Sequence, residues 1–134
     1  SNQEEVDSAI ALLKNINLAV LHCVSTYPTP TKELNLNVIK TFKSKYPDLI
    51  IGYSGHETGL STTYAAVALG AKIIERHITL DRSMWGTDHS ASIEPHGLKT
   101  LVSNIRDIEA AMGDGIKNVT AGEIPIREKL RRIQ

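Results

Sequence analysis

The 134-residue chain balances fifteen basic against fifteen acidic side chains, so no net field draws it to nucleic acid or an anionic membrane surface, and any anionic ligand must be held by local groups. With 41% hydrophobic and 22% charged residues it has the composition of one globular domain, which argues against disorder. The single cysteine, Cys23, excludes an internal disulfide and agrees with a reducing, cytoplasmic compartment; no apolar run approaches the roughly 20 residues of a membrane span, and no export signal is read at the start.

Helical spacing runs first from Glu4 to Lys14, followed by a strand-like run, Leu18 to Ser25 (LAVLHCVS). A helix over Leu36 to Tyr46 leads through Pro47-Asp48 into a second strand, Leu49 to Ser54 (LIIGYS). The third helix, Thr58 to Leu69, is capped at its C-terminus by Gly70 and feeds a third strand, Lys72 to Thr79 (KIIERHIT). Pro95 marks the entry to a helix over Leu98 to Met112, and a further helix over Ile124 to Arg132 carries enough charge to predict a solvated face. Strands alternating with helices predict right-handed crossovers and a parallel sheet covered by helices. Three such strands cannot close on themselves, and an eight-stranded barrel takes about 250 residues, so the expectation is an α/β chain of parallel β/α units amounting to about half a TIM-type barrel. An open doubly wound sheet is the alternative, but no glycine-rich phosphate fingerprint follows any strand.

Function in parallel α/β proteins gathers at the carboxyl ends of the strands. All three predicted strands are polar there: Cys23, Ser25 and Tyr27 on the first, Ser54 and His56 on the second, Glu75, His77 and Thr79 on the third. Alternation of side chains puts Glu75 and His77 on one face and Ile74, Arg76 and Ile78 on the other, the latter set suited to lying beneath helices. If the second and third strands are neighbours, His56 and His77 meet at one rim, where two imidazoles and a carboxylate suit a borderline divalent ion with open positions for substrate. Spacing alone leaves a second possibility, two buried histidines satisfied by backbone or carboxylate partners. For Glu75 the plainer role is an ion pair with a basic neighbour, and for Ser25 and Ser54 a hydrogen bond to the backbone. His22 has the parity of Val20 and Val24, which predicts a place beneath a helix, and His96 beside Pro95 is expected to be exposed. Asp88, in the polar run Gly86 to Ser92, suits sugar hydroxyls or an ordinary turn, and Tyr27 suits packing over a sugar or filling its own loop.

The same residues fall in longer strings: LHCVSTYPTP from Leu21, NLNVIKTFKSKYPDLIIGYSGHETG from Asn35, AAVALGAKIIERHITLDRSMWGTDHSASIEP from Ala65 and AGEIPIRE from Ala121. In these strings the chain resembles the sialic acid synthase family along nearly its whole length. The resemblance implies a (β/α)₈ barrel followed by a small antifreeze-like domain, with residues 1–134 corresponding to barrel strands six to eight and the first barrel half and the antifreeze-like domain lying outside the chain. It implies that His56 and His77 bind a divalent ion, usually manganese, that Ser54 touches the phosphate of phosphoenolpyruvate, and that Tyr27 and Asp88 touch the sugar. At Ser25 the family commonly has asparagine, so that phosphate contact departs from the pattern.

The activity implied is a metal-assisted condensation of phosphoenolpyruvate with an N-acetylated hexosamine, N-acetylmannosamine or its 6-phosphate, in which Glu75 is the catalytic candidate for handling protons. A legionaminic or pseudaminic acid synthase, a pyruvate-using aldolase on a similar barrel, and a noncatalytic binding domain are the competing readings. The resemblance also implies a homodimer for the longer enzyme, while the 134-residue piece alone, with open strand edges, is expected to self-associate and to be inactive.

Overall fold

A computed structural model describes residues 1–13 and 16–131. Its elements in order are α1 (Gln3–Leu13), β1 (Ala19–Cys23), α2 (Asn37–Lys45), β2 (Ile50–Gly55), α3 (Ser61–Ala68), β3 (Ile73–Arg76), α4 (Pro95–Met112) and α5 (Glu123–Leu130), with single 3₁₀ turns at Thr31–Glu33 and His89–Ala91. The strands form one parallel sheet in the order β1-β2-β3, as the alternation of elements predicts. The predicted helix ends at Lys14 and Arg132 lie outside the described residues. Among the described residues, no helix is long and apolar enough to cross a membrane.

One face of the sheet holds the core. Ile51 and Tyr53 of β2 meet Ile39 and Phe42 of α2, Ala66 of α3 and Ala71, all buried, with Val20, Leu36 and Ile74 packed against them. α3 ends where Gly70 adopts a φ of 101°, a conformation glycine reaches without the Cβ penalty, and the chain enters β3 directly. Pro95 occupies the first turn of α4, where its missing N–H costs nothing, so the helix starts three residues before the predicted Leu98. α1 buries none of its residues fully and is tied to the end of α2 by Lys45 and Asp7 at 2.6 Å, an exposed pair worth little by itself. α5 is exposed throughout, in keeping with the solvated face its charge predicts.

β3 is shorter than the predicted Lys72 to Thr79. Its pairing with β2 runs from Gly52↔Ile73 to Gly55↔Arg76 and stops because β2 itself ends there. Beyond that point Ile78 finds only an isolated parallel bridge to Ile93. In the middle of the sheet Gly52 lies between Leu21 and Ile73, and a Cβ built on it would come within 2.7 Å of the Ile73 carbonyl oxygen and 2.8 Å of Leu21 Cγ. Backbone cannot give way as a side-chain tip can. Gly52→Ala in the full-length protein is therefore expected to lower stability by about 1–3 kcal/mol, read from the denaturation midpoint. An unchanged midpoint would mean that β2 and β3 separate at no cost.

Candidate active site

The register sets out the candidate residues in two rows. Cys23, Ser54 and Glu75 are Cα partners across the three strands, and within this row Ser54 Oγ donates a 2.7 Å hydrogen bond to Glu75 Oε1. His56 and His77 follow one row further along, each two residues beyond its strand's member of the first row and so on the same face. Their ring centres are 5.1 Å apart and their planes nearly perpendicular. Two imidazoles that share a divalent ion at roughly 2.1 Å from nitrogen have ring centres about 5 Å apart, so the observed spacing fits such an ion.

The tautomer of His56 fits as well. Its Nδ1 lies 2.8 Å from the Val24 carbonyl oxygen, where Nδ1–H donates and Nε2 is left with a free lone pair. A backbone acceptor on the far nitrogen is the usual way a ligating histidine is oriented. Tyr27 stacks on His77 with ring centres 4.5 Å apart and presents its edge to His56 at 5.5 Å. Its hydroxyl donates to the Asp88 carbonyl oxygen at 3.0 Å, as does Ser92 Oγ at 2.7 Å, which pins the polar loop over the histidines. The Asp88 carboxylate reaches within 3.8 Å of His77 Nδ1, beyond a hydrogen bond.

Of the seven candidates, then, His56, His77, Tyr27 and Asp88 form one cluster, and Ser54 with Glu75 a hydrogen-bonded pair in the adjacent row. Glu75 makes no ion pair with a basic neighbour among the described residues. Ser25 is exposed and stands apart: with Cys23 it lines an open groove of about 720 Å³ along β1 that includes neither His56 nor His77. Among the described residues, no three His, Cys, Asp or Glu side chains converge closely enough to hold an ion. An ion at this rim would take its protein ligands from the two imidazoles and its remaining ligands from water or substrate.

His22 lies where its parity predicts and His96 is exposed as its place beside Pro95 predicts. His22 is buried, with Nε2 2.6 Å from the Leu34 carbonyl oxygen and its ring edge-on to Phe42 of α2. His89 Nδ1 lies 2.7 Å from Thr79 Oγ1 and ties the polar loop to the segment after β3.

Sequence reasoning missed Glu57. It follows His56 yet points to the opposite face, where its carboxylate, 1% exposed, pairs at 3.0 Å with the guanidinium of Arg76, itself 4% exposed. Tyr53 donates to Oε2 at 2.8 Å, and Thr62 and Thr63 donate to Oε1 at 2.6 and 3.2 Å. The available signal was Arg76 itself: placing a guanidinium beneath helices demands a buried anion, and Glu57 is the acidic residue of matching parity on the neighbouring strand end. Burial pushes the Glu57 carboxyl up, but the Thr62, backbone and Tyr53 hydrogen bonds and the Arg76 charge outweigh it and hold it below its ordinary value. Burial and the adjacent carboxylate push the Tyr53 hydroxyl up.

A carboxylate whose folded pKa is depressed stabilises the fold above its unfolded value, and that contribution is lost as the pH falls through the folded value. Glu57→Gln in the full-length protein is expected to melt well below the parent at neutral pH, by an amount equivalent to about 3–5 kcal/mol, since it leaves Arg76 buried without its counter-charge. The gap is expected to narrow once the pH falls below the ordinary value of 4.5. Melting curves that stay a constant distance apart from neutral to strongly acid pH would show that the charge of Glu57 does not matter.

Comparison with known proteins gives this geometry a family. The NeuB family profile matches residues 1–117. N-acetylneuraminate-9-phosphate synthase of Homo sapiens is 49% identical over 116 residues, which are 87% of this chain and 32% of that protein. N,N'-diacetyllegionaminic acid synthase of Campylobacter jejuni subsp. jejuni is 44% identical over 128 residues, 92% of this chain and 38% of the relative. Among solved structures, the N-acetylneuraminic acid (sialic acid) synthetase of Leptospira borgpetersenii serovar Hardjo-bovis, in complex with citrate, superposes with a TM-score of 0.84 at 39% identity, covering 99% of this chain and 48% of that one. The parallel strand–helix units are thus part of a TIM-type barrel, and the chain spans roughly a third of the length of these curated relatives.

Proposed function

The chain belongs to the NeuB family, and from that premise we propose that it is the part of a sialic acid synthase barrel that carries the metal-binding rim, within an enzyme condensing phosphoenolpyruvate with N-acetylmannosamine or its 6-phosphate. The products would be N-acetylneuraminate or its 9-phosphate, and inorganic phosphate. The observation that carries this reading is the 5.1 Å spacing of the His56 and His77 rings, with His56 Nδ1 committed to the Val24 carbonyl and its other nitrogen free.

His56 and His77 would hold the divalent ion, with manganese as the expected metal. When bound, such an ion supplies Lewis-acid polarisation of the sugar aldehyde and a template for its approach. The enol carbon of phosphoenolpyruvate adds to the aldehyde carbon, water adds at the neighbouring carbon, and phosphate leaves with its bridging oxygen. The chain's own groups divide the remaining tasks. Ser54 Oγ, bonded to Glu75 one row before the histidines, would turn from it to a phosphate oxygen. Glu75, exposed on the same face, would take up or return a proton once Ser54 has turned to the phosphate. Asp88 offers acceptor oxygens to sugar hydroxyls beside His77, and the Tyr27 ring walls the rim. Ser25, at the end of β1, is a phosphate contact only if the substrate reaches along the groove.

The likeness to a legionaminic acid synthase favours one second reading, in which the same rim serves a diacetylated sugar, or a pseudaminic acid precursor. Sugar choice then separates the readings, since the metal rim is common to both. The exposed thiol of Cys23 fits a cytoplasmic setting.

His56→Ala and His77→Ala in the full-length protein are each expected to abolish manganese-dependent phosphate release from phosphoenolpyruvate in the presence of N-acetylmannosamine or its 6-phosphate. Undiminished release by both variants would overturn the assignment. For the 134-residue chain on its own we propose no turnover and self-association, because β1 and β3 have open edges and Ile73 and Ile78, on or just beyond β3, stand 37% and 65% exposed. A strictly monomeric mass by light scattering, or measurable condensation, would count against this. The longer enzyme is proposed to be a homodimer.

A further inference from the structure

The backbone ladder between β2 and β3 ends at Gly55↔Arg76, and both histidines lie one residue past it. No strand pairing therefore sets the distance between His56 and His77. A different link stands at that point. Arg76 NH2 donates to the Glu57 carbonyl oxygen at 2.5 Å, and NH1 donates to the Gly59 carbonyl oxygen at 3.0 Å, to Glu57 Oε1 at 3.0 Å and to Thr63 Oγ1 at 2.6 Å. Two of these acceptors are backbone carbonyls of the segment that leaves β2, more than charge neutralisation requires. The guanidinium continues the ladder with a side chain where main-chain pairing has run out.

We propose that the buried Glu57–Arg76 pair is a positioning device that fixes the spacing of the two imidazoles by clamping the chain just after His56 and just before His77. The role rests on the reading of His56 and His77 as a pair that acts together. Two observations and the general behaviour of buried ion pairs support it. Gly55, which precedes His56 and pairs with Arg76, has no room for a side chain: a Cβ there would meet Glu57 Oε2 at 2.8 Å, Arg76 Cδ at 2.9 Å and Tyr53 Cε1 at 2.9 Å, so the clamp is packed directly against the strand. Arg76 Nε is buried with no hydrogen-bond partner among the described residues, a desolvation cost that an apolar pair of the same size would not carry. Buried ion pairs seldom stabilise a fold better than such apolar replacements, so their use here is better explained by geometry than by stability. Lysine could supply the charge but not the planar fork that reaches the carboxylate and both carbonyls together.

The test uses Arg76→Lys in the full-length protein, with the Glu57→Met/Arg76→Met double variant as a second arm that removes both charges and keeps the volume. Each is expected to retain the parent's circular dichroism while its affinity for manganese alone falls about 10- to 100-fold, the usual cost of losing an orienting partner behind a metal ligand. In the metal-free protein, the imidazole NMR signals of His56 and His77 are expected to move while those of His22 and His96 stay in place. A folded variant of either kind that keeps the parent's manganese affinity and histidine signals would overturn the proposal. If His56→Ala and His77→Ala bind manganese as tightly as the parent, the metal reading fails on its own, and the positioning role is then decided by the metal-free histidine signals: movement supports it and constancy overturns it.

Discussion

The register of β2 against β3 governs everything built at the rim. With Gly55 opposite Arg76, Ser54 falls beside Glu75 and His56 beside His77, each pair on the inner face. Because side chains alternate strictly, a slip of one residue would turn one strand's polar set under the helices and bring Tyr53 or Arg76 into the mouth. What prevents the slip is the core: Ile51 and Tyr53 can be buried against Ile39, Phe42 and Ala66 only in the present register, and Gly52 admits the close approach of Leu21 and Ile73 only where it stands.

Register alone does not finish the site, since the strands stop short of the groups that matter. Each histidine is held by a different kind of contact. Val24 fixes the ring of His56 through Nδ1, and the stacked Tyr27 ring lies against His77 while its hydroxyl reaches the Asp88 backbone. Segments after all three strands are joined this way, the first to the second through Val24 and His56 and the first to the third through Tyr27, His77 and Asp88. The backbone bond from Thr29 N–H to the His56 carbonyl at 3.0 Å adds a further tie between the first two.

The parts of this arrangement that follow the period of a strand were legible before any coordinates. Counting by twos put Ser54 and His56 on one face, Glu75 and His77 on the same face of the next strand, and His22 under a helix, and each lies there. The end of β3 was not legible, because a strand stops where its neighbour stops and the reach of β2 is not written in the residues Lys72 to Thr79. The contact between Tyr27 and Asp88 joins positions 61 residues apart and has no local signal. Glu57 has a signal one step removed: parity places Arg76 with Ile74 on the helix side, where a guanidinium demands a buried anion, whereas Ile78, of the same parity, is 65% exposed rather than beneath a helix.

The two faces of the sheet treat polar groups in opposite ways, and this difference separates saturated groups from open ones. On the helix side, Glu57 has both oxygens engaged, by Tyr53 on one and by Thr62, Thr63 and Arg76 on the other. This carboxylate is buried at a desolvation cost that its hydrogen bonds offset, and a group so saturated has nothing left for a ligand. On the inner side, Glu75 has one oxygen bonded to Ser54, His56 has one nitrogen committed, and Ser25, Cys23 and His77 are exposed. Open valences on this face cost little in contact with water and are what a metal ion, a phosphate or a sugar would use. The face on which a residue stands, set by its parity and its neighbours' register, therefore decides whether a carboxylate is saturated by the fold, as Glu57 is, or keeps an oxygen open, as Glu75 does.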